Sequence, residues 1–467
     1  MVVSSADVVI CGAGIAGLAA AAELARADIG KIVIVERGDP LALTSDKSTE
    51  CYRNWWPGPD AAMVQLMNRS IDRLEQLDSA NPGRIRLNRR GYLYASADQA
   101  QIPLLLESGR TATLQGAGPL RVHGDLAAAT PAERAPTGSY RPAAAHNWRD
   151  QPAGADLIVD PALLREQFPF LNEQTVVALH ARRCGWFSGQ QFGMLLLEAA
   201  RAAGAILLRG ELTAIEQRGG KVSSVEVAGA EGSITIATPL LINAAGPLAG
   251  ACAGLMGIEL PLINELHLKA AIADPLMVVP REGPMLIWND SITLDWDADE
   301  RAALRDDPDL HWLAERMPAG AHCRPEGEGT STQVLMLWDY HSEPAPLIIP
   351  PPLDDTFPEI VLRGMAHMLP GLRPYLERVP RAYLDGGYYT KTPENRPLIG
   401  PLPVEGAYII GAFSGFGLMA APAAAELLAA HILGRALPSY AAAFHPQRYA
   451  DPAYAARIAA WGASGQL

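Results

Sequence analysis

Gly12, Gly14 and Gly17 form the pattern GxGxxG, and an acidic residue, Glu36, follows at the end of the next apolar run. A glycine in the first position permits a tight turn, the second lets backbone approach a pyrophosphate, and the third allows close helix packing. The N-terminus of the helix that follows then faces the anion, and a carboxylate in the place of Glu36 accepts hydrogen bonds from a ribose diol. This is the chemistry of a dinucleotide site, and the fingerprint alone does not separate nicotinamide from flavin. A second glycine pair, Gly415 and Gly417, precedes an Ala-rich apolar run. Such a turn brings backbone close to a flat ligand, and free N–H groups at the helix start favour negative charge on a ring that accepts a hydride. The plainer alternative is a glycine turn before a buried helix.

These residues need elements to hold them. Val8 to Cys11 has the length and β-branched content of a buried parallel strand, Ile15 to Arg26 reads as an Ala/Leu-rich helix, and Lys31 to Glu36 as a second strand. Together they make one βαβ unit. From residue 191 to 246 the pattern runs from a helix (Met194 to Ala203) into strands around Ile206 to Leu208, Val222 to Val227 and Ile234 to Ile236, closing on "LLINAAG". Residues 116–156 are rich in Ala, Pro and Gly without periodicity and read as an extended surface insertion. Residues 262–384 mix strand-like runs (Leu268 to Ile272, Met285 to Trp288, Gln333 to Asp339) with an amphipathic helix around Phe357 to Met368. From Tyr388 the pattern returns to strand, Gly-rich turn and Ala-rich helix, so the nucleotide domain is discontinuous.

Composition narrows the partners. The chain has 467 residues, 49% of them apolar, and a formal charge of −13, without a dense Lys/Arg cluster. That is enough apolar content for a packed core and the wrong electrostatics for nucleic acid. Five dispersed cysteines (Cys11, Cys51, Cys184, Cys252 and Cys323) form no CxxC pair, so neither a zinc site nor a disulfide framework is expected, and a reducing cytoplasm fits best. The apolar N-terminal run lacks a preceding Lys or Arg and does not read as a secretory signal. The run from Ala407 to Leu433 is broken by Gly411, Gly415, Gly417, Pro422 and Glu426, which leaves no clear membrane segment.

Three segments decide between nicotinamide and flavin: "TSDKSTECYRNWW" (residues 44–56), "INAAG" (242–246) and "GGYYTKTPENRPLIGPLPVEGAYIIGAFSGFGLMAAPAAAELLAAHI" (386–432). They resemble the D-amino-acid oxidase-like (DAO) superfamily of FAD-dependent oxidoreductases, nearest to its sarcosine oxidase and dimethylglycine dehydrogenase branch. The resemblance implies an α/β fold in which a discontinuous Rossmann-like FAD-binding domain (1–95, 157–261 and 385–467) carries an α+β substrate domain (262–384) built on an antiparallel sheet. Residues 96–156 are an insertion or part of the substrate domain. It also implies that FAD contacts Gly12, Gly14, Ile15, Ala16, Gly17, Glu36, Arg37, Ser48, Thr49, Leu212, Ala245, Gly246, Gly415, Gly417, Leu418 and Met419.

Members of this superfamily move a hydride from the carbon next to nitrogen onto flavin N5. By that resemblance Arg53 grips an anionic substrate group, for which a guanidinium offers a bidentate fork. His341, from "LMLWDYH", lies at the substrate as a proton acceptor or donor, and Tyr389, from "GGYYT", faces it. Trp55 and Trp56 either wall the pocket or pack the core. A surface ion pair remains the alternative for Arg53, and a backbone-satisfied buried ring the alternative for His341.

Departures from the family pattern carry information too. Gly387 stands where the sarcosine oxidases have their flavin-linking cysteine, and residues 44–56 contain no histidine, so non-covalent FAD is expected. Met419 replaces the lysine that helps hold a simple substrate carboxylate. Met336 stands where the branch has an oxygen-activating lysine, with Lys269 a possible substitute, which points to a dehydrogenase or slow oxidase using O₂ or another acceptor. The expected substrate is a small-molecule amine or amino acid. A 2-hydroxy acid, for which His341 would act as base, and a non-catalytic flavin-fold partner subunit are the alternatives.

Overall fold

The computed structural model describes residues 3–56, 58–144 and 148–461. Val8–Cys11, a run of β-branched residues buried on both faces, is the centre of a six-stranded sheet. The order across that sheet is Leu398–Pro401, Ala407–Gly411, Leu241–Asn243, Val8–Cys11, Ile32–Glu36 and Ile206–Arg209. All its pairings are parallel except the Leu398–Pro401/Ala407–Gly411 hairpin. Helix Ile15–Arg26 follows the first strand and ends where Asp28 turns left-handed at φ 55°. Alanine and glycine along it give a smooth surface, and it packs against the equally Ala-rich helix Gly417–Ile432 and against Gly189–Ala202.

A nine-stranded mixed sheet forms the second layer. Its order is Tyr383–Lys391, Ile263–Ala273, Gln333–Leu337, His322–Pro325, Met285–Trp288, Tyr92–Ser96, Val177–Ala181, Ala155–Ile158 and Leu120–His123. Helix Phe357–Met368, at the expected position, covers one face and buries Val334, Met336 and Trp338 beneath it. This sheet corrects several expectations. Tyr92–Ser96, Val177–Ala181 and Tyr383–Lys391, grouped wholly or in part with the nucleotide domain on sequence, are strands of the nine-stranded sheet. The stretch 116–156 is no mere surface insertion either: Leu120–His123 pairs in parallel with Ala155–Ile158 and extends the sheet edge. Tyr140 from the same stretch is buried, its hydroxyl 2.9 Å from His180 Nδ1. Flanking Gly and Pro hide such a short strand, because local propensity there says turn while pairing partners far along the chain say sheet. Residues 211–237 form a separate antiparallel meander, and only Ile206–Arg209 and Leu241–Asn243 of that region join the parallel sheet.

Candidate active site

The turn after the first strand is built around Gly12, at φ 107°, where a Cβ would lie 2.5 Å from the Ala244 carbonyl oxygen. A Cβ on Gly17 would lie 2.0 Å from the carbonyl oxygen of Gly12, so the helix sits against its own entry turn. Glu36 braces the loop, its Oε2 accepting from Ala13 N at 2.8 Å and its Oε1 from Gly38 N at 2.8 Å. Ser45 Oγ accepts from Ile15 N at 3.0 Å. Neither this helix nor Gly417–Ile432 has a side-chain cap at its N-terminus.

Three cavities follow one another along these elements. The first is lined by Gly12, Glu36, Arg37, Leu212 and Ala245. The second takes Gly14, Ile15 and Ala16 from one helix start and Gly417 and Leu418 from the other, with Ser48 and Gly246 between them. Two helix N-termini therefore converge on one cavity, an electrostatic setting for a pyrophosphate at one end and an electron-accepting ring at the other. Ser45 and Thr44 also line it, and Thr44 Oγ1 donates to the Tyr388 carbonyl at 2.8 Å, tying this segment to the nine-stranded sheet. The residues fit FAD: the expected adenosine-end and pyrophosphate residues line consecutive cavities, and a side chain at Gly12 or Gly17 would collide with the backbone that shapes them. Among the described residues lining the second cavity there is no cysteine or histidine.

The third cavity, about 530 Å³, meets the second at Tyr389 and Gly415, which line both. A Cβ on Gly415 would sit 2.5 Å from the Tyr389 ring, so this glycine makes room for the tyrosine that divides the two spaces. Arg53 reaches the third cavity from the short strand Cys51–Arg53, which is held antiparallel to Cys184–Trp186. Only 4% exposed, its guanidinium lies 4.3 Å over the Trp56 ring, and Nη1 donates to the Tyr94 hydroxyl at 3.5 Å. Trp56 walls the cavity and meets Phe416 edge-on at 5.1 Å, while Trp55 packs in the core. Thr49 and Met419, expected at the cofactor, line this third cavity instead. The Thr49 carbonyl accepts from the buried Arg324 at 2.7 and 3.0 Å, which turns the segment away from the second cavity.

His341 is not at the site. It is exposed, packed edge-on against Trp312 at 4.4 Å and Tyr340 at 4.9 Å. Pairing of Gln333–Leu337 ends at Leu337 opposite His322, and two residues further the chain still lies along the sheet, so Leu337 and Asp339 face the cavity. Four residues further it has left. Met336 has the opposite parity and is fully buried under helix Phe357–Met368. Lys269 does not line the cavities: its Nζ donates to the carbonyls of Asp46 and Ser48 at 3.1 and 3.2 Å, and burial lowers its pKa. It steadies the segment beside the cofactor cavity and does not supply a free cation there.

The histidines near the site are His322 and His267. His322 lines the third cavity, and its Nδ1–H donates to the Gly320 carbonyl at 2.8 Å, so Nε2 carries the lone pair when the ring is neutral. Burial lowers its pKa and keeps it neutral. His267 stacks on Tyr389 with centroids 3.9 Å apart. Its Nδ1 is 2.8 Å from Asp339 Oδ1 and its Nε2 3.2 Å from Glu265 Oε2, and Glu265 Oε1 pairs with Lys391 Nζ at 2.7 Å. Burial opposes charge on His267, but Asp339 and Glu265 outweigh it and raise the pKa to about 9. Burial would likewise raise Asp339 and Glu265. The imidazolium holds both below the usual carboxylate range, helped at Glu265 by Lys391. The alternation in "NELHLKA" puts Glu265, His267 and Lys269 on one face of an otherwise apolar strand, a signal of periodicity that no motif carries.

This cluster sets a pH dependence. His267 has a raised pKa, so its stabilisation is complete below 6.5 and is lost as pH climbs through about 9. Asp339 and Glu265 are depressed and lose theirs only as pH falls through their lowered values. The melting temperature is expected to drop between about pH 8 and 10, and less steeply in His267→Gln, followed by differential scanning fluorimetry.

Among the described residues no group of three or more His, Cys, Asp or Glu side chains is arranged to hold a metal ion, and no helix is long and apolar enough to cross a membrane. No curated protein matches the sequence. Solved structures do resemble the fold. L-proline dehydrogenase from P. horikoshii superposes with a TM-score of 0.70 at 19% identity, covering 96% of this chain and 99% of its own. Glycine oxidase from Geobacillus kaustophilus gives 0.70 at 16%, covering 95% and 99%, and iminodiacetate oxidase from Chelativorans sp. gives 0.65 at 18%, covering 94% and 98%. The sequence model of the DAO family, FAD dependent oxidoreductases, matches residues 7–431. With that match over nearly the whole length, and a chain of cavities shaped for FAD, the protein belongs to the DAO family of FAD-dependent oxidoreductases.

Proposed function

We propose that this enzyme oxidises the C–N bond of an amino acid or of a secondary or tertiary amine, with hydride transfer to FAD held non-covalently. The observation that carries this reading is the buried Arg53, in a cavity that shares Tyr389 and Gly415 with the cofactor cavity. A guanidinium there grips a carboxylate through two parallel hydrogen bonds and so fixes the orientation of the adjacent carbon. Trp56, Phe416 and Met419 exclude water around it. Tyr389 keeps its proton, because burial raises its pKa. FAD, when bound, supplies the acceptor for the hydride. The names of the solved structures, which act on proline, glycine and iminodiacetate, support this substrate class.

A 2-hydroxy acid is the second reading, because His322 offers the neutral imidazole that alcohol deprotonation needs, in place of His341. Anaerobic titration with glycine, sarcosine, L-proline, iminodiacetate and lactate, following flavin absorbance, separates the two. Bleaching by a nitrogen compound and not by lactate is expected, and bleaching by lactate alone overturns the amine reading. Acid precipitation is expected to leave the yellow colour in the supernatant; colour in the pellet would show a covalent link. Arg53 is the only lysine or arginine among the described residues lining the third cavity, so air reoxidation is expected to be slower than reoxidation by an artificial electron acceptor.

A further inference from the structure

The third cavity has two electrical poles. Its titratable lining groups are Arg53, Asp339, His322, Tyr92, Tyr389 and Cys51. Burial keeps the two tyrosines and the cysteine protonated and His322 neutral, which leaves Arg53 as the positive charge and Asp339 as the negative one. Arg53 answers the carboxylate of an amino acid. Asp339 has no counterpart in that carboxylate.

Its placement is over-determined. Trp338 is locked on the opposite face, its Nε1 donating to the Pro318 carbonyl at 3.1 Å and its ring lying where a Cβ on Gly364 would be 2.5 Å away. Asp339 is therefore turned to the cavity, and its Oδ1 is fixed by His267, which is fixed in turn by Glu265 and Lys391. Charges alternate along this row from the cavity outwards, so the carboxylate keeps its charge while its other oxygen remains available to a ligand.

We propose that Asp339 is the residue that receives the substrate nitrogen, with His267 as the positioning residue that holds it, so that an amino acid is bound by both ends between Arg53 and Asp339. This rests on the amine reading above. An ammonium held by Asp339 first gives up one proton to solvent as the pH rises through its pKa, because His322, kept neutral by burial, is too weak a base to hold it. The α-carbon then loses a hydride with its electron pair, the nitrogen lone pair closes the C=N bond, and the positive charge that settles on nitrogen faces the carboxylate. Because a carboxylate favours the ammonium, it raises the pKa of the bound amine and sets the pH at which reduction switches on.

The test uses the FAD-loaded enzyme, anaerobic stopped-flow reduction by whichever amino acid of the panel bleaches the wild type fastest, and acetate as a nitrogen-free carboxylate probe read by flavin spectral perturbation. Asp339→Asn is expected to weaken amino-acid binding at least roughly 30-fold, to leave acetate binding within about threefold, and to move the pKa of the limiting reduction rate down by about one unit or more. Asp339→Glu is expected to restore the pH profile. Amino-acid binding and a profile both unmoved in Asp339→Asn would overturn the proposal, as would equal losses for the amino acid and acetate. Should that variant lose its flavin, His267→Gln decides: without the imidazolium the acid limb of binding is expected to move up by about a unit, and an unmoved limb counts against the proposal. A wild type reduced by no amine at all would instead sink the functional reading.

Discussion

Arg53→Met is expected to weaken binding of the reducing amino acid by roughly 10²–10³-fold, because it removes one partner of a buried, bidentate charge pair at a cost of about 3–4 kcal/mol. Arg53→Lys keeps the charge but not the fork and is expected to recover only part of that loss. Stopped-flow bleaching over a substrate series gives both the dissociation constant and the limiting rate. The loss should fall mainly on the former, because the carboxylate is held equally in ground and transition states. The flavin spectrum is expected to survive in Arg53→Met, since the side chain lines the third cavity and not the second. A dissociation constant within about threefold of wild type would place the carboxylate elsewhere.

Gly12→Ala is expected to yield protein without bound FAD. Two penalties act together: a left-handed backbone at φ 107° and a methyl carbon 2.5 Å from the Ala244 carbonyl oxygen, an approach that real Cβ atoms do not make. The loop must shift, and with it the junction of the first and second cavities. Gly14→Ala is the control. Gly14 has negative φ, and its nearest neighbour is Ser45 Oγ at 3.4 Å, so a partial loss of affinity is expected. The ratio of absorbance at 450 to 280 nm in purified protein, about zero for Gly12→Ala and near wild type for Gly14→Ala, checks both. A yellow Gly12→Ala protein would show that the turn relaxes without harm.

Where function rests on backbone, it was legible in the residues. Val8–Cys11 and Ile15–Arg26 lie where apolar runs and the glycine spacing put them, because a buried strand and an Ala-rich helix are local decisions. Gly12, Glu36 and Arg37 line the first cavity and Gly14 the second for the same reason. Arg53 and Tyr389, named through the resemblance, both line the third cavity. His341 failed on a different kind of fact. Its parity was right, but a strand's end depends on which partner runs out first, and the partner ending at His322 lies some fifteen residues upstream in sequence. Thr49 failed because Arg324, remote in sequence, captures its carbonyl. Gly415, expected beside a flat ligand, has a flat neighbour of a different kind, the ring of Tyr389.

The six-stranded sheet has one more consequence, which concerns synthesis rather than catalysis. Its central strand, Val8–Cys11, lies beside Leu241–Asn243, whose other neighbour is Ala407–Gly411, and the helix that closes the second cavity runs from Gly417 to Ile432. A ribosome delivers these pieces in order, so the earliest strand finds Ile32–Glu36 at once on one side but waits on the other for Leu241–Asn243, which emerges some two hundred residues later. Until the last of them leaves the exit tunnel, the fingerprint loop has one half of its anion site and the ring has no place to rest. Cofactor capture is thus a late event in the life of the chain, and the apolar strands at its beginning keep an unpaired edge for about half of translation.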